Sequence, residues 1–438
     1  MAQFKYRPFP AFFLILLFAI ASALSTAFGP SHAATDKSLF VSTATRAGRL
    51  AVFDDVWETI QERYYDPTFR GLDWEATRAA FRPAAAEAKN TQDFYELLKR
   101  MIAPLKDPHT RVFSPEEKFD WWSPKFVTIG VTVREIEGAP TVVYVEPKSA
   151  AHLAGVQVGD VVTSVDNVAA SEIIARRLQH AEVSPTARLR MVRNLFDGNA
   201  GTSLLLTWKQ KNGRIKSATL QRYWSQRSLG FRFSRQSGVV VITLDAFTQT
   251  IASDFLKQVP DMIGDARGIV LDLRANGGGD AEAMANVASA FLETGINLGT
   301  FADRSGAGFE LVTTPRLSQL TLPTASRKSP MVVLTSENTS SAAEILASTL
   351  QQQRRARVIG NLTCGCVLAI RNRHTLPDGG VLDVSEFDYK TAEGIRLEGV
   401  GITPNETTTT TRADLYAKRD STLERAKRYL TIGAVVRP

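Results

Sequence analysis

The chain has 438 residues, 44% of them hydrophobic and 22% charged, with a net charge of +7. This composition suits a soluble protein of two or three domains with sizeable cores and excludes a disordered or fibrous chain. Lys and Arg are dispersed, without basic blocks or interleaved aromatics, which sets nucleic acid aside as a partner.

In chain order, Lys5 and Arg7 precede an apolar run from Phe12 to Leu24, followed by small residues and Ser31-His32-Ala33-Ala34. That pattern predicts a secretory leader over residues 1–33, cut after Ala33. A retained anchor is the competing reading, but the run falls short of the roughly 20 residues a membrane span needs. Cleavage removes Lys5 and Arg7 and no acid, so the net charge falls from +7 to +5 on a chain exported to the periplasm or beyond.

Residues 34–123 read as a helical segment: Val52, Val56 and Ile60 recur every four positions, and Phe94, Leu97, Leu98 and Met101 keep helical spacing. Lys106-Asp107-Pro108-His109-Thr110 then makes a fixed corner, because Pro108 disfavours helix at the residue before it. Residues 124–224 form a β-rich module with strands expected at Val127 to Val133, Thr141 to Val145, Val161 to Val165 and Ser203 to Trp208. In residues 225–438, Val239 to Leu244, Gly268 to Leu273 and Met331 to Thr335 are buried-strand runs, each followed by helix-like sequence, which predicts an α/β core. The Thr407 to Thr411 run reads as a polar loop or an exposed strand.

The cysteines lie together as Cys364-Gly365-Cys366. In an oxidising compartment the pair can close on itself, and free thiols are the alternative. With no His, Asp or Glu beside them, no metal site is expected, and no cofactor is called for.

Within the β-rich module, Thr128-Ile129-Gly130-Val131 resembles the carboxylate-binding loop of a PDZ domain, and Ser149 to Val156 with Val158 to Val162 resembles the helix and strand that follow it. The resemblance implies that Ile129, Gly130 and Val131 bind a peptide terminus, with the peptide added as a strand to the sheet edge. A PDZ-shaped spacer with an occluded groove is the alternative. Four ordered motifs surround the module: Asp107-Pro108-His109-Thr110, Leu273 to Gly279, Val332 to Glu344, and Gly399-Val400-Gly401-Ile402-Thr403-Pro404. Together they resemble peptidase family S41, the carboxyl-terminal processing or tail-specific proteases. The resemblance implies a crotonase-like (ClpP/crotonase-type) catalytic core, serine peptidase activity on unfolded or carboxyl-terminal tails, and room for an adaptor or activator protein.

Ser341 follows a buried strand and opens a helix, and Ser341-x-x-Glu344 is a capping-box pattern. Capping does not exclude catalysis, because a helix start offers free N–H donors and the positive end of the dipole to a developing oxyanion. Ser341 is the expected nucleophile, with an oxyanion hole from Ala342 and Gly278, a glycine that permits close approach and positive φ. A tight turn leaving a strand is the bland reading of the Asn276-Gly277-Gly278-Gly279 stretch.

A serine hydroxyl needs a base, and here the chain departs from the lysine-using branch of the family: the position that resembles the catalytic lysine is Cys366. The remaining resemblance, to tricorn-like members, implies His109 as base and Glu398 as its support. The competing reading is loss of catalysis, leaving a PDZ-bearing peptide-binding scaffold or chaperone. His374 is the second candidate base; His152 and His180 read as surface or packing residues, and Cys366 as a nucleophile lacks a neighbouring acid or base.

Overall fold

The computed structural model describes residues 41–117, 125–179, 184–313 and 329–435, with side chains as far as 431. The leader and His180 lie outside the described residues, and no described helix is long and apolar enough to cross a membrane.

Strict alternation in buried strands builds the central sheet. In Val239–Leu244, Val240, Ile242 and Leu244 point into one apolar cluster, while Val239 and Val241 point into another on the opposite face. The sheet runs in the order Phe231–Gln236, Val239–Leu244, Gly268–Asp272, Met331–Thr335, Arg357–Gly360, Glu406–Thr407. Its first pair is antiparallel and the rest are parallel. Helices Gln249–Ile263, Ala281–Ala288 and Ala342–Gln352 cover one face through Phe255, Met284 and Leu346. Ala426 and Leu430 of the helix Ser421–Val435 cover the other. The runs expected to be strands from Val239, Gly268 and Met331 are the three adjacent strands at its centre.

The amino-terminal helices Arg46–Arg63, Trp74–Ala86 and Thr91–Ile102 each begin at a side-chain cap, from Thr45, Asp73 and Asn90. They share a core with Leu376, Leu382 and Val384 from the other end of the chain. The link is a small antiparallel sheet in which Arg111–Phe113 pairs with Val381–Asp383. The corner at Asp107 to Thr110 is therefore held immediately before a strand that pairs with one from the carboxyl-terminal half.

The β-rich module is a sheet in the order Val131–Ile136, Ala139–Val145, Val161–Val165, Ser203–Lys209, Ile215–Gln221, with its own apolar cluster around Val133, Val142 and Trp208. The strand expected from Val127 to Val133 is broken in two, because Gly130 takes φ +80° and the chain turns there. Lys125–Thr128 pairs instead with Tyr223–Gln226, closing the neck of the module. Val131–Ile136 is left as an edge strand, with the helix Ala187–Arg193 packed across it.

The glycine loop after Gly268–Asp272 is fixed by backbone contact with Phe247. Phe247 N donates to Gly278 O at 3.0 Å and Asp280 N to Phe247 O at 2.8 Å. Gly279 sits between them at φ +136°, where an added Cβ would lie 2.2 Å from the Phe247 carbonyl oxygen. Gly279→Ala is expected to lower the free energy of unfolding by about 2 kcal/mol or more, since neither backbone can yield cheaply; urea denaturation followed by circular dichroism measures it.

Candidate active site

Ser341 stands at the turn between strand Met331–Thr335 and helix Ala342–Gln352, with φ +56° and ψ −128°. An L-residue pays for that conformation with roughly 1–3 kcal/mol of strain, so its surroundings must hold it there. Ser341 N donates to Cys366 O at 2.8 Å and to Glu344 Oε2 at 3.1 Å. On the other side Gly278 approaches so closely that a Cβ on it would lie 2.6 Å from Ser341 Cβ and 3.1 Å from Ala342 N. The glycine loop and the serine turn are thus in direct contact.

The two expected oxyanion donors differ. Among the described residues no hydrogen bond occupies the Ala342 N–H, which opens the helix beside the serine. The Gly278 N–H is already given to Asn276 Oδ1 at 2.8 Å, while Asn276 Nδ2 donates to Leu244 O at 3.0 Å. Asn276 is fully buried and shapes the loop from within. In this conformation the Gly278 N–H is therefore in use, and the expected free amide is not found there.

Glu344 does more than cap a helix. Its carboxylate is fully buried and accepts from Ser341 N and Cys366 N (3.0 Å) on one oxygen, and from Thr363 Oγ1 (2.5 Å) and Gly365 N (2.8 Å) on the other. Burial pushes its pKa up to about 7 against the pull of those donors. The Ser-x-x-Glu spacing signalled Glu344 as a cap; its second set of donors comes from a turn some 20 residues on, which spacing does not reveal. That turn carries Cys364 and Cys366 joined as a disulfide.

His109 and Ser341 line the same cleft, about 3100 Å³ in volume, but no hydrogen bond joins them among the described residues. Asp107 holds the corner: Oδ1 accepts from His109 N at 2.8 Å and Oδ2 from Thr110 Oγ1 at 2.6 Å. The buried His109 Nδ1 has no hydrogen-bond partner among the described residues and lies 3.9 Å from Asp107 Oδ1. Burial, with Asp107 opposing and Arg111 and Arg190 assisting, lowers the imidazole pKa to about 4, so the ring is neutral at neutral pH.

Glu398 does not touch the imidazole. It is buried, accepts from Val367 N (2.8 Å) and Leu368 N (3.3 Å), and pairs with Arg70 Nη2 at 3.1 Å. Burial raises its pKa. Arg70 in turn donates to Lys106 O at 3.0 Å, next to the Asp107 corner. The expected direct contact of Glu398 with His109 is absent among the described residues; Arg70, a residue that no motif or periodicity marked, links Glu398 to the Lys106 carbonyl instead. His374 is not among the residues that line the cleft with Ser341, and its Nε2 lies 2.6 Å from Asp55 Oδ2 on the first helix. His152 is exposed on the short helix Ala150–Leu153.

Of the expected peptide-binding residues, Ile129 is buried in the module's core, while Gly130 and Val131 line the cleft. Gly130 N donates to Thr128 Oγ1 at 2.9 Å. The groove between Val131–Arg134 and Arg190–Asp197 opens into the cleft that holds Ser341. Arg134 grips the buried Glu337 with two bonds of 2.7 Å, and Arg193 donates to Asn338 Oδ1 at 2.9 Å, so the module is tied to the segment leading into Ser341.

Residues 238–408 match Peptidase family S41, residues 45–103 the Tricorn protease C1 domain and residues 141–183 a PDZ domain. The chain is 28% identical over 423 residues to the chloroplastic carboxyl-terminal-processing peptidase 3 of Arabidopsis thaliana, covering 90% of this chain and 74% of that one. It is 28% identical over 375 residues to the carboxyl-terminal-processing protease of a Picosynechococcus species, covering 80% and 81%. Among solved structures it is similar to the photosystem II D1 C-terminal processing protease, with TM-score 0.52, 21% identity and 82% and 93% coverage. It is also similar in fold to mature CPAF, with TM-score 0.66, 13% identity and 88% and 96% coverage.

Because Arg70 neutralises a buried carboxylate, Arg70→Ala is expected to destabilise the protein by about 3 kcal/mol, the usual cost of leaving such a charge unpaired. Guanidinium denaturation of the two proteins checks this, and a change within about 0.5 kcal/mol would show that the tie is not as drawn.

Proposed function

We propose that this chain, a serine-type peptidase of family S41, is an exported endopeptidase that cleaves polypeptides at tails delivered by its PDZ domain, through an acyl-enzyme at Ser341. The observation that carries the reading is Ser341 itself: a non-glycine residue held at φ +56° on a strand-to-helix turn, next to an unoccupied Ala342 N–H, in the cleft that also contains His109. Strain at such a position is kept where function uses it.

In this reading Ser341 Oγ attacks the substrate carbonyl and His109 takes its proton, then returns it to the leaving amine. Water repeats the sequence on the acyl-enzyme. His109, neutral at physiological pH, needs no prior deprotonation, and a neutral ring is also the form that can accept. The oxyanion is received by Ala342 N–H, with Gly278 N–H joining once it turns from Asn276. Glu398 steadies the His109 corner by way of Arg70. The core is read as crotonase-type. The edge strand Val131–Ile136 accepts the substrate's carboxyl-terminal residues as an added strand, by the chemistry PDZ domains use. The carboxyl-terminal-processing names of the relatives support tails as the substrate class, and the apolar leader supports export.

One observation favours the second reading, a catalytically inactive peptide-binding scaffold or chaperone: no hydrogen bond joins Ser341 to His109, and Glu398 is committed elsewhere. A fluorophosphonate probe decides between them. An active peptidase is labelled, Ser341→Ala abolishes labelling, and His109→Ala slows it about 10²–10⁴-fold. No labelling of the native chain, with carboxyl-terminal peptide binding retained, would establish the scaffold. For the active enzyme, a base with pKa about 4 sets the acid limb: His109 is protonated and unable to accept below it, so labelling should rise with pH through about 4 and already be near its plateau by 6. A limb centred near the ordinary histidine value of about 6.5 would mean that the corner opens in solution.

A further inference from the structure

The Cys364–Cys366 disulfide lies where five elements meet. Cys366 O accepts the Ser341 N–H, and Cys364 N donates to Thr339 O at 3.0 Å. The Gly365 and Cys366 amides bind Glu344, and Gly365 O accepts from Gly399 N at 2.8 Å in the closing motif. From the PDZ module, Ser184 Oγ donates to Cys364 O at 2.5 Å, and Arg190 Nη1 reaches the sulfurs of both cysteines, 2.7 Å from that of Cys366. Gly365 itself takes φ +68°, packed so closely that a Cβ would lie 2.9 Å from Gly401 N.

From this placement we propose that Cys364 and Cys366 form a thiol–disulfide exchange site, and that its redox state governs how firmly the nucleophile turn and the PDZ helix Ala187–Arg193 are held. The inference deepens the peptidase reading and rests on it for its catalytic consequence alone. A ring closed over one intervening residue constrains the unfolded chain less than a long loop does, so its effect is local: it fixes the turn that positions Ser341. Two features suit it to exchange. Cys364 contributes to the lining of the cleft, although only 2% of it is exposed, so a small dithiol is the reagent that fits. Arg190 places a guanidinium at both sulfurs, and a cation there stabilises the thiolate that leaves, which speeds exchange and favours the reduced pair.

The co-reactant is a dithiol. Its thiolate attacks the Cys364 sulfur, the S–S bond breaks, and the Cys366 sulfur leaves as a thiolate beside Arg190. The second thiol of the reagent then displaces Cys364 from the mixed disulfide. Two electrons pass to the protein, the reagent ends as its own disulfide, and the protein gains two thiols, one proton coming from each thiol of the reagent.

In the full mature chain, alkylation with and without dithiothreitol counts the thiols. Hydrogen exchange reports on the Ser341, Gly365 and Cys366 amides and on residues 184–193, and the fluorophosphonate rate reports on the nucleophile. Disulfide in the untreated chain, at least fivefold faster amide exchange after reduction, at least fivefold slower labelling, and recovery of all three on reoxidation are expected. A Cys364→Ser/Cys366→Ser variant should behave as the reduced form whether or not dithiothreitol is present. Two alkylatable thiols in the untreated exported chain, or unchanged exchange on reduction, would overturn the proposal. Absence of labelling in both redox states would remove the peptidase reading, while the exchange measurement would still decide whether the redox site controls the turn.

Discussion

One buried carboxylate, Glu344, carries the geometry of the cleft. Placing a carboxylate out of water costs several kcal/mol unless hydrogen bonds replace its hydration. Here three amides and the Thr363 hydroxyl do so, shared between its two oxygens. Since those donors come from both the Ser341 turn and the Cys364 to Cys366 turn, the carboxylate is satisfied only when both turns are in place. Ser341 can then keep its positive φ, because relaxing it would strip the carboxylate of a donor and Cys366 O of its partner.

The second constraint is to bring His109 to Ser341 across about half the length of the chain. A strand of three residues accomplishes it: Arg111–Phe113 joins Val381–Asp383, and Arg111 and Arg373 both pair with the fully buried Asp383. Arg70 completes the placement by bridging Glu398 and the Lys106 carbonyl. The amino-terminal helices are therefore part of the framework of the cleft, although the strand that leads to Ser341 begins more than 200 positions later.

Legibility in the sequence followed the range of the interaction. The central strands were readable because burial on both faces leaves continuous apolar runs, and the helices because Val52, Val56 and Ile60 repeat at helical spacing. The break at Gly130 was not, since a glycine inside an alternating run is compatible with an uninterrupted strand. Ser341 and the glycine loop were legible as motifs and do meet in space. What stayed hidden were the partners of polar groups: Asn276 taking the Gly278 amide, Arg70 taking Glu398, Arg190 reaching the cysteines. An arginine's long side chain reaches whatever tertiary structure places beside it, so its local sequence carries little information about its target.

The polar ties around the cleft share a logic that apolar packing does not. Glu337 with Arg134 and Glu398 with Arg70 each join segments from separate apolar clusters, while Asp383 with Arg111 and Arg373 ties distant segments of one cluster. Pairs of this kind contribute little net stability relative to well-packed apolar residues, yet losing one partner strands a buried charge. Apolar surfaces tolerate small slides between the bodies they hold together, whereas a bidentate guanidinium–carboxylate contact such as Arg134 with Glu337 is satisfied at one distance and one angle. The clusters supply most of the free energy of folding, and the charged ties select, among arrangements of nearly equal apolar burial, the one in which the groove of the PDZ module runs into the cleft containing Ser341 and His109.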